Sequence, residues 1–230
     1  MKNIEEKSSL IDIVIPCYER TEMLEECLKN LEKYTDNYNL ILIEGKRSAA
    51  ENRNLGISKV SSDWFVMLDD DIIVTPNWLD KLLELRREDV GQIQPRVLFL
   101  SGEIFSAGIS FGGLHLIHHG YKEKGGYEYV CERDLLNGCC SLYNSKILKY
   151  CRFDENYRGS QFEDLDFSMQ IRKAGFKLIY CGTTSVYHRV CLRNLNLENE
   201  EYFYKKWFKT KYYLRKAIRY LRKLKGNFFF

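Results

Sequence analysis

The sequence predicts an α/β domain built on a mostly parallel central sheet flanked by helices, followed by a basic amphipathic helix. Three observations predict it. Short apolar, β-branched runs alternate with amphipathic segments of helical length, the loops between them are short, and charge is distributed unevenly along the chain. At 230 residues, with 45% hydrophobic and 29% charged residues, the chain can bury one full α/β core and is neither disordered nor fibrous in composition.

Leu10–Pro16 (LIDIVIP), closed by a proline, reads as a buried parallel strand. Glu22–Lys33 follows as a helix, with Met23, Leu24, Leu28 and Leu31 at helical spacing and Thr21 suited to cap it. Leu40–Ile43 is a second strand and Ala49–Lys59 a helix. Trp64–Leu68 (WFVML) is a third strand, running straight into Asp69, Asp70 and Asp71; Asn77–Arg87 is again a helix. Such short connections imply right-handed βαβ units.

Beyond residue 90 the rhythm changes. Gln92–Leu100 reads as a strand. The glycine-rich Ser101–Gly126 segment, which holds His115, His118 and His119, reads as a long loop or hairpin, either functional or a surface hairpin with incidental histidines. Leu135–Tyr143 is apolar, and Glu163–Ala174 is a helix closed by Gly175. Phe176–Cys181 and Ser185–His188 read as two short strands.

The eight cysteines form no Cys-x-x-Cys pair and no zinc-finger spacing, so they are expected to be reduced and structural. Met1–Ser9 lacks the apolar core of a signal peptide, and no apolar run approaches the roughly 20 residues that span a bilayer. A cytoplasmic protein is the expectation. From Tyr202 onward there are ten Lys/Arg and no Asp or Glu; a tail of +10 in a chain of net +3 leaves about −7 on the first 201 residues. Within the tail, Phe203, Trp207, Leu214, Ile218 and Leu221 can share one helical stripe. That pattern suits peripheral contact with an anionic membrane or packing on the domain. No nucleic-acid motif accompanies it, so no nucleic-acid partner is expected.

In open α/β sheets ligands collect at the carboxyl ends of strands, where Pro16–Arg20, Glu44–Arg47 and Asp69–Asp71 all fall. Three adjacent carboxylates repel one another unless a cation joins them, so the triplet reads as a Mg²⁺ or Mn²⁺ site or as an acidic, helix-capping turn. Glu163-Asp164 opens a helix and reads either as dipole-favoured capping or as a general base facing a cleft. His188, beside Tyr187, reads as structural or as catalytic.

In combination and in order, these segments resemble the inverting glycosyltransferases of family 2, which have the GT-A fold, with a rhamnosyltransferase-like branch suggested. The matching segments are IVIPCYER (Ile13–Arg20), ENRNLGI (Glu51–Ile57), FVMLDDDI (Phe65–Ile72), NGCCSLYNSKIL (Asn137–Leu148), FEDLDFSMQIRKAGFKLIY (Phe162–Tyr180) and VYH (Val186–His188). They are collinear over residues 10 to 190 or so.

The resemblance implies a GT-A domain over residues 1–195, to which the charge pattern adds a basic helical tail over 196–230. It also implies transfer of a sugar from a UDP- or dTDP-sugar to a hydroxyl of a glycan or lipid-linked glycan. Asp69 and Asp71 match the ends of the family's DxD motif, Asp69 towards the donor and Asp71 towards Mn²⁺ or Mg²⁺, with Asp70 between them. His188 matches a further metal ligand. Asp164, with Glu163 beside it, matches the catalytic base. Pro16, Tyr18, Glu19, Arg53, Asn54 and Gly138 fall at donor-pocket positions. Glu44 stands where the family usually has an aspartate against the base. A nucleotidylyltransferase would need a Gly-rich, basic loop after its first strand, which IVIPCYER lacks. A non-catalytic binding module of the same fold is the remaining alternative.

Overall fold

The computed structural model describes residues 10–113, 115–189 and 194–226, with side chains to Ile218. Strand β1 (Ile11–Cys17) leads to α1 (Glu22–Tyr34), whose first turn is capped by the Thr21 side chain accepting from Leu24 N–H. Strand β2 (Tyr38–Glu44) and α2 (Ala49–Ile57) follow; Ser48 and Glu51 form a capping box on α2. Next come β3 (Trp64–Leu68), β4 (Ile72–Ile73), α3 (Trp78–Leu83), β5 (Val90–Phe99), β6 (Ile104–Ser106), β7 (Ile109–Gly112) and β8 (His115–His118). The chain continues with β9 (Val130–Glu132), β10 (Cys140–Asn144), α4 (Glu163–Lys173), β11 (Lys177–His188), α5 (Leu197–Trp207) and α6 (Lys209–Gly226).

The large sheet has the order β2-β1-β3-β10-β5-β11-β4, with β6 on β5 and β9 on β11. Five long strands, β2, β1, β3, β5 and β11, point the same way, as the alternating pattern predicts. Strand β10 is inserted antiparallel between β3 and β5. The alternation of β1 divides the core. Ile13 and Ile15 face α1 and α3 with Leu24, Leu31 and Trp78, whereas Val14 faces α2 and α4 with Ala50, Phe167 and Ile171.

Several boundaries differ from those the sequence predicts. The third helix stops at Leu83, ahead of the Arg87 end expected for it. The Ser101–Gly126 segment contains β6 and the β7–β8 hairpin. The two pieces expected at Phe176–Cys181 and Ser185–His188 are one strand, irregular between Cys181 and Ser185. Gly182 lies in that irregularity, where any Cβ would collide with the Tyr127 and Tyr129 backbone. Seven cysteines are free among the described residues; Cys191 lies outside them.

The tail is two helices broken at Phe208, not one continuous stripe. Phe203 is fully buried with Ile109, Leu135 and Leu165, a burial that stabilises by about 1.5–3 kcal/mol. Polar contacts lock α5 onto α4. Asp166 accepts from Trp207 Nε1 at 2.6 Å, Tyr157 Oη at 3.1 Å and Gln170 Nε2 at 2.7 Å, and pairs with Lys206 at 2.8 Å. In α6, by contrast, Tyr213 and Leu214 are exposed, and Leu221 lies beyond the described side chains. No described helix is long and apolar enough to cross a membrane.

Candidate active site

The acidic triplet begins where β3 ends, and three backbone contacts fix it. Asp69 N–H donates to Cys139 C=O at 2.8 Å, tying the triplet to the start of β10. Ile72 N–H closes the turn onto Asp69 C=O, and Arg189 N–H donates to Asp71 C=O at 2.9 Å. The short strand β4 pairs antiparallel with Tyr187–His188, so residues distant in sequence face each other. His188 Nε2 thereby lies 3.1 Å from Asp71 Oδ1, with Phe105 edge-on to the imidazole at 4.7 Å.

Ligating atoms of Asp69, Asp71 and His188 all lie within 4.8 Å of one another. Asp71 Oδ1 and His188 Nδ1 are buried without a hydrogen-bond partner among the described residues, so the 3.1 Å approach is one of distance alone. An unpaired buried polar atom costs about 1–3 kcal/mol. A divalent cation would relieve that cost and the repulsion between the carboxylates, so this set of two carboxylates and an imidazole fits one. Burial pushes the Asp70 carboxyl up, and its two acidic neighbours push it further.

Arg53 joins this cluster to the second one. It projects from α2 into the core, nearly inaccessible to solvent, donating to Asp69 Oδ1 at 2.8 Å and pairing with Glu163 Oε1. Burial opposes the Arg53 charge, but Asp69, Glu163 and Asp164 together hold it well above its ordinary value. Burial likewise pushes Glu163 up to about 7, against the pull of Arg53. Asp69 moves the same way: burial raises it, Arg53 opposes, and Asp71 adds to the rise.

Asp164, next to Glu163 in the first turn of α4, is half-buried. Its Oδ2 accepts from Gly138 N–H and its Oδ1 from Leu165 N–H, both at 2.9 Å. A Cβ on Gly138 would lie 2.7 Å from Asp164 Cβ, so only glycine admits this approach. Two non-glycine residues just before the pair, Gln161 and Phe162, hold left-handed φ values of 84° and 73°. Such strain persists only where surroundings enforce it. Here α5 enforces it: Asn199 Nδ2 donates to the carbonyls of Arg158, Ser160 and Gln161 at 2.9–3.1 Å. Nothing in the sequence marks Asn199, which looks like an ordinary polar residue in a charged helix.

The remaining predicted residues are more dispersed. Pro16 ends β1, and Tyr18 is 57% exposed beyond it. Glu19 pairs with Lys46 at 3.2 Å, and Glu44 with Arg20 at 2.9 Å. Asn54 is buried and turned towards another loop: it donates to Phe153 C=O and accepts from Phe153 N–H, clamping the 151–157 segment to α2. His119 Nε2 lies 2.8 Å from Ser110 Oγ, within the β7–β8 hairpin.

Comparison with known proteins bears on this arrangement. The model of the family described as glycosyltransferase like family 2 matches residues 39–201. An uncharacterised protein, y4gI of Sinorhizobium fredii (strain NBRC 101917 / NGR234), is 24% identical over 150 residues. That match takes in 59% of this chain and 16% of the relative, so the chain spans about a sixth of that protein's length. GalNAc-T7, solved with UDP, GalNAc and Mn²⁺, superposes with a TM-score of 0.65 at 12% identity, over 88% of this chain and 52% of that one. A197 from STIV superposes with a TM-score of 0.56 at 10% identity, over 79% and 86%. At these identities the structural likeness establishes a shared fold, the GT-A arrangement.

Proposed function

We propose that this chain, which belongs to glycosyltransferase like family 2, transfers a sugar from a nucleotide-diphosphate donor to an acceptor hydroxyl with inversion at the anomeric carbon. The observation that carries the reading is the Arg53 bridge. It fastens the Asp69–Asp71–His188 cluster to the helix that begins with Glu163 and Asp164. A donor-holding site and a base are thereby combined in one rigid unit.

Asp69, Asp71 and His188 would hold Mn²⁺ or Mg²⁺, and that ion, when bound, supplies charge neutralisation for the departing diphosphate. Asp164 takes the proton of the acceptor hydroxyl. As the acceptor oxygen bonds to the anomeric carbon, the bond to the nucleotide diphosphate breaks, and the proton stays on Asp164. Glu163 and Arg53 keep Asp164 aimed. Pro16, Tyr18, Glu19, Glu44, Asp69 and Asp70 line the donor side, with a UDP- or dTDP-sugar as the proposed donor. The GalNAc-T7 structure, captured with UDP, GalNAc and Mn²⁺, supports that class of donor and metal.

A glycan or lipid-linked glycan is the proposed acceptor. Helix α6 carries eight Lys/Arg and no acid, with exposed Tyr213 and Leu214, which supports peripheral contact with the inner, cytoplasmic face of a membrane. Residues 1–195 are proposed as the catalytic unit and 196–230 as the tail that α5 anchors.

The test is Asp164→Asn. Loss of a general base should lower transfer by roughly 10²–10⁴-fold while donor affinity stays near wild type. Transfer at the wild-type rate would remove Asp164 from the mechanism.

A further inference from the structure

The peptide between Asn137 and Gly138 lies at the centre of a buried polar network outside the DxD and Glu-Asp elements. Its N–H points at Asp164 Oδ2, at 2.9 Å. Its C=O, on the opposite edge of the same plane, accepts from Ser141 Oγ at 2.9 Å, and Gln92 Nε2 lies 3.4 Å from it. A trans peptide is flat, with its C=O and N–H pointing oppositely, so holding the carbonyl fixes where the N–H points.

Gln92 and Gln94, alternate residues of β5, are both completely buried. Gln92 also donates to Ser141 Oγ and Tyr143 Oη, each at 3.1 Å, and accepts from Ser168 Oγ at 2.8 Å. Ser168 lies one helical turn beyond Asp164 on α4, and its one hydroxyl proton is shared between Gln92 Oε1 and Leu136 C=O, 2.9 Å away. Gln94 Oε1 accepts from Asn137 N–H at 2.7 Å, and Gln94 Nε2 donates to Ser106 Oγ at 3.1 Å. Ser106 Oγ in turn donates to Asn137 Oδ1 at 2.6 Å. A core needs none of these polar side chains for stability, and each is costly unless paired. Here every one is paired, and the network converges on a single peptide unit.

We infer that Gln92, Ser141 and Gln94 are positioning residues for the transfer reaction, orienting the Gly138 N–H so that it fixes the Asp164 carboxylate towards the acceptor hydroxyl. The inference rests on the proposed role of Asp164 as base. The other charged or titratable side chains whose fields reach Asp164 are Arg53, Glu163, His118, Cys139 and Tyr143, and of these only Tyr143 is touched by substitutions in the network.

The test is a double-mutant cycle with Ser141→Ala and Gln92→Met, each alone and combined with Asp164→Asn. Thermal melting selects variants that remain folded, and Ser141→Ala is the milder should Gln92→Met fail to fold. In the Asp164 background, kcat should fall roughly 10- to 100-fold with donor KM unchanged, as for a displaced base. In the Asp164→Asn background the same substitutions should cost less than twofold. A folded Ser141→Ala enzyme with wild-type kcat, a loss that appears in donor KM instead of kcat, or equal losses in both backgrounds would overturn the inference. If Asp164→Asn alone proves harmless, the base assignment has failed instead, so the two failures are distinguishable.

Discussion

Replacing Arg53 with methionine tests the structural link between the two halves of the site. The substitution roughly conserves volume but leaves Glu163, with a side chain only 4% exposed, without its cation. Removing one partner of a buried pair costs about 3–5 kcal/mol, because the remaining charge is uncompensated. Glu163 can escape part of that cost by protonating. Its carboxyl already lies near 7 in the fold, raised by burial from an ordinary 4.5. A raised carboxyl contributes stability that is fully present below its unfolded value and lost as pH rises through its folded value. Without Arg53 the folded value climbs further, so the loss extends to higher pH. The variant should therefore melt lower by roughly 6 to 20 °C at about pH 8, given about 2–4 °C per kcal/mol at this chain length, and by less at about pH 6. Thermal denaturation of both proteins at the two pH values reads this directly. A melting temperature within about 2 °C of wild type at both, or a larger penalty at the lower pH, would refute the reasoning.

Three further outcomes are expected. Gly138→Ala places a Cβ 2.7 Å from Asp164 Cβ, so it should destabilise by about 1–3 kcal/mol and lower kcat at least tenfold, measured by melting and by steady-state transfer. The anchor of α5 should release in acid. Burial raises the Asp154 carboxyl, but Lys206, Asn156 and Tyr202 outweigh it and bring it to about 2, so its stabilisation is present above about 3.8 and lost as pH falls through 2. Trp207 fluorescence should shift over that window, and Asp154→Asn should abolish the dependence. Helix α6 should bind vesicles containing anionic lipid in a salt-sensitive manner, with Lys209, Lys211 and Lys216 to glutamate weakening co-sedimentation by about 1 kcal/mol or more per charge.

The sequence makes the chemistry-bearing strand ends legible because an apolar run that stops abruptly at charge, as Trp64–Leu68 does at Asp69, marks where a buried strand reaches a polar surface. Caps were legible for the same local reason: Thr21, the residue read as a cap, accepts from Leu24 N–H. Long-range pairing was not. Arg53 and Glu163 are 110 residues apart, and nothing in either neighbourhood announces the other. The apolar Leu135–Tyr143 run carries no indication of direction, so the antiparallel insertion of β10 could not be read from it. Gln92 and Gln94 look like solvent-facing strand positions by alternation, yet both lie in the core because β5 is covered on both faces. The tail pattern showed an amphipathic stripe but not the break at Phe208, which lets α5 pack on the domain while Tyr212 and Arg215 of α6 fold back against it.

The most direct measurement is a thermal-shift comparison of UDP, dTDP, GDP and CDP with and without Mn²⁺, on the wild type and on Asp71→Asn and His188→Ala. A nucleotide at a hundred times its dissociation constant stabilises by about 2.7 kcal/mol. At this chain length that is a rise of roughly 5 to 11 °C in melting temperature. Such a rise is expected with UDP or dTDP only when Mn²⁺ is present, and it should be lost in both variants. No shift with any nucleotide in the presence of metal, or a shift indifferent to metal and to both substitutions, would contradict it.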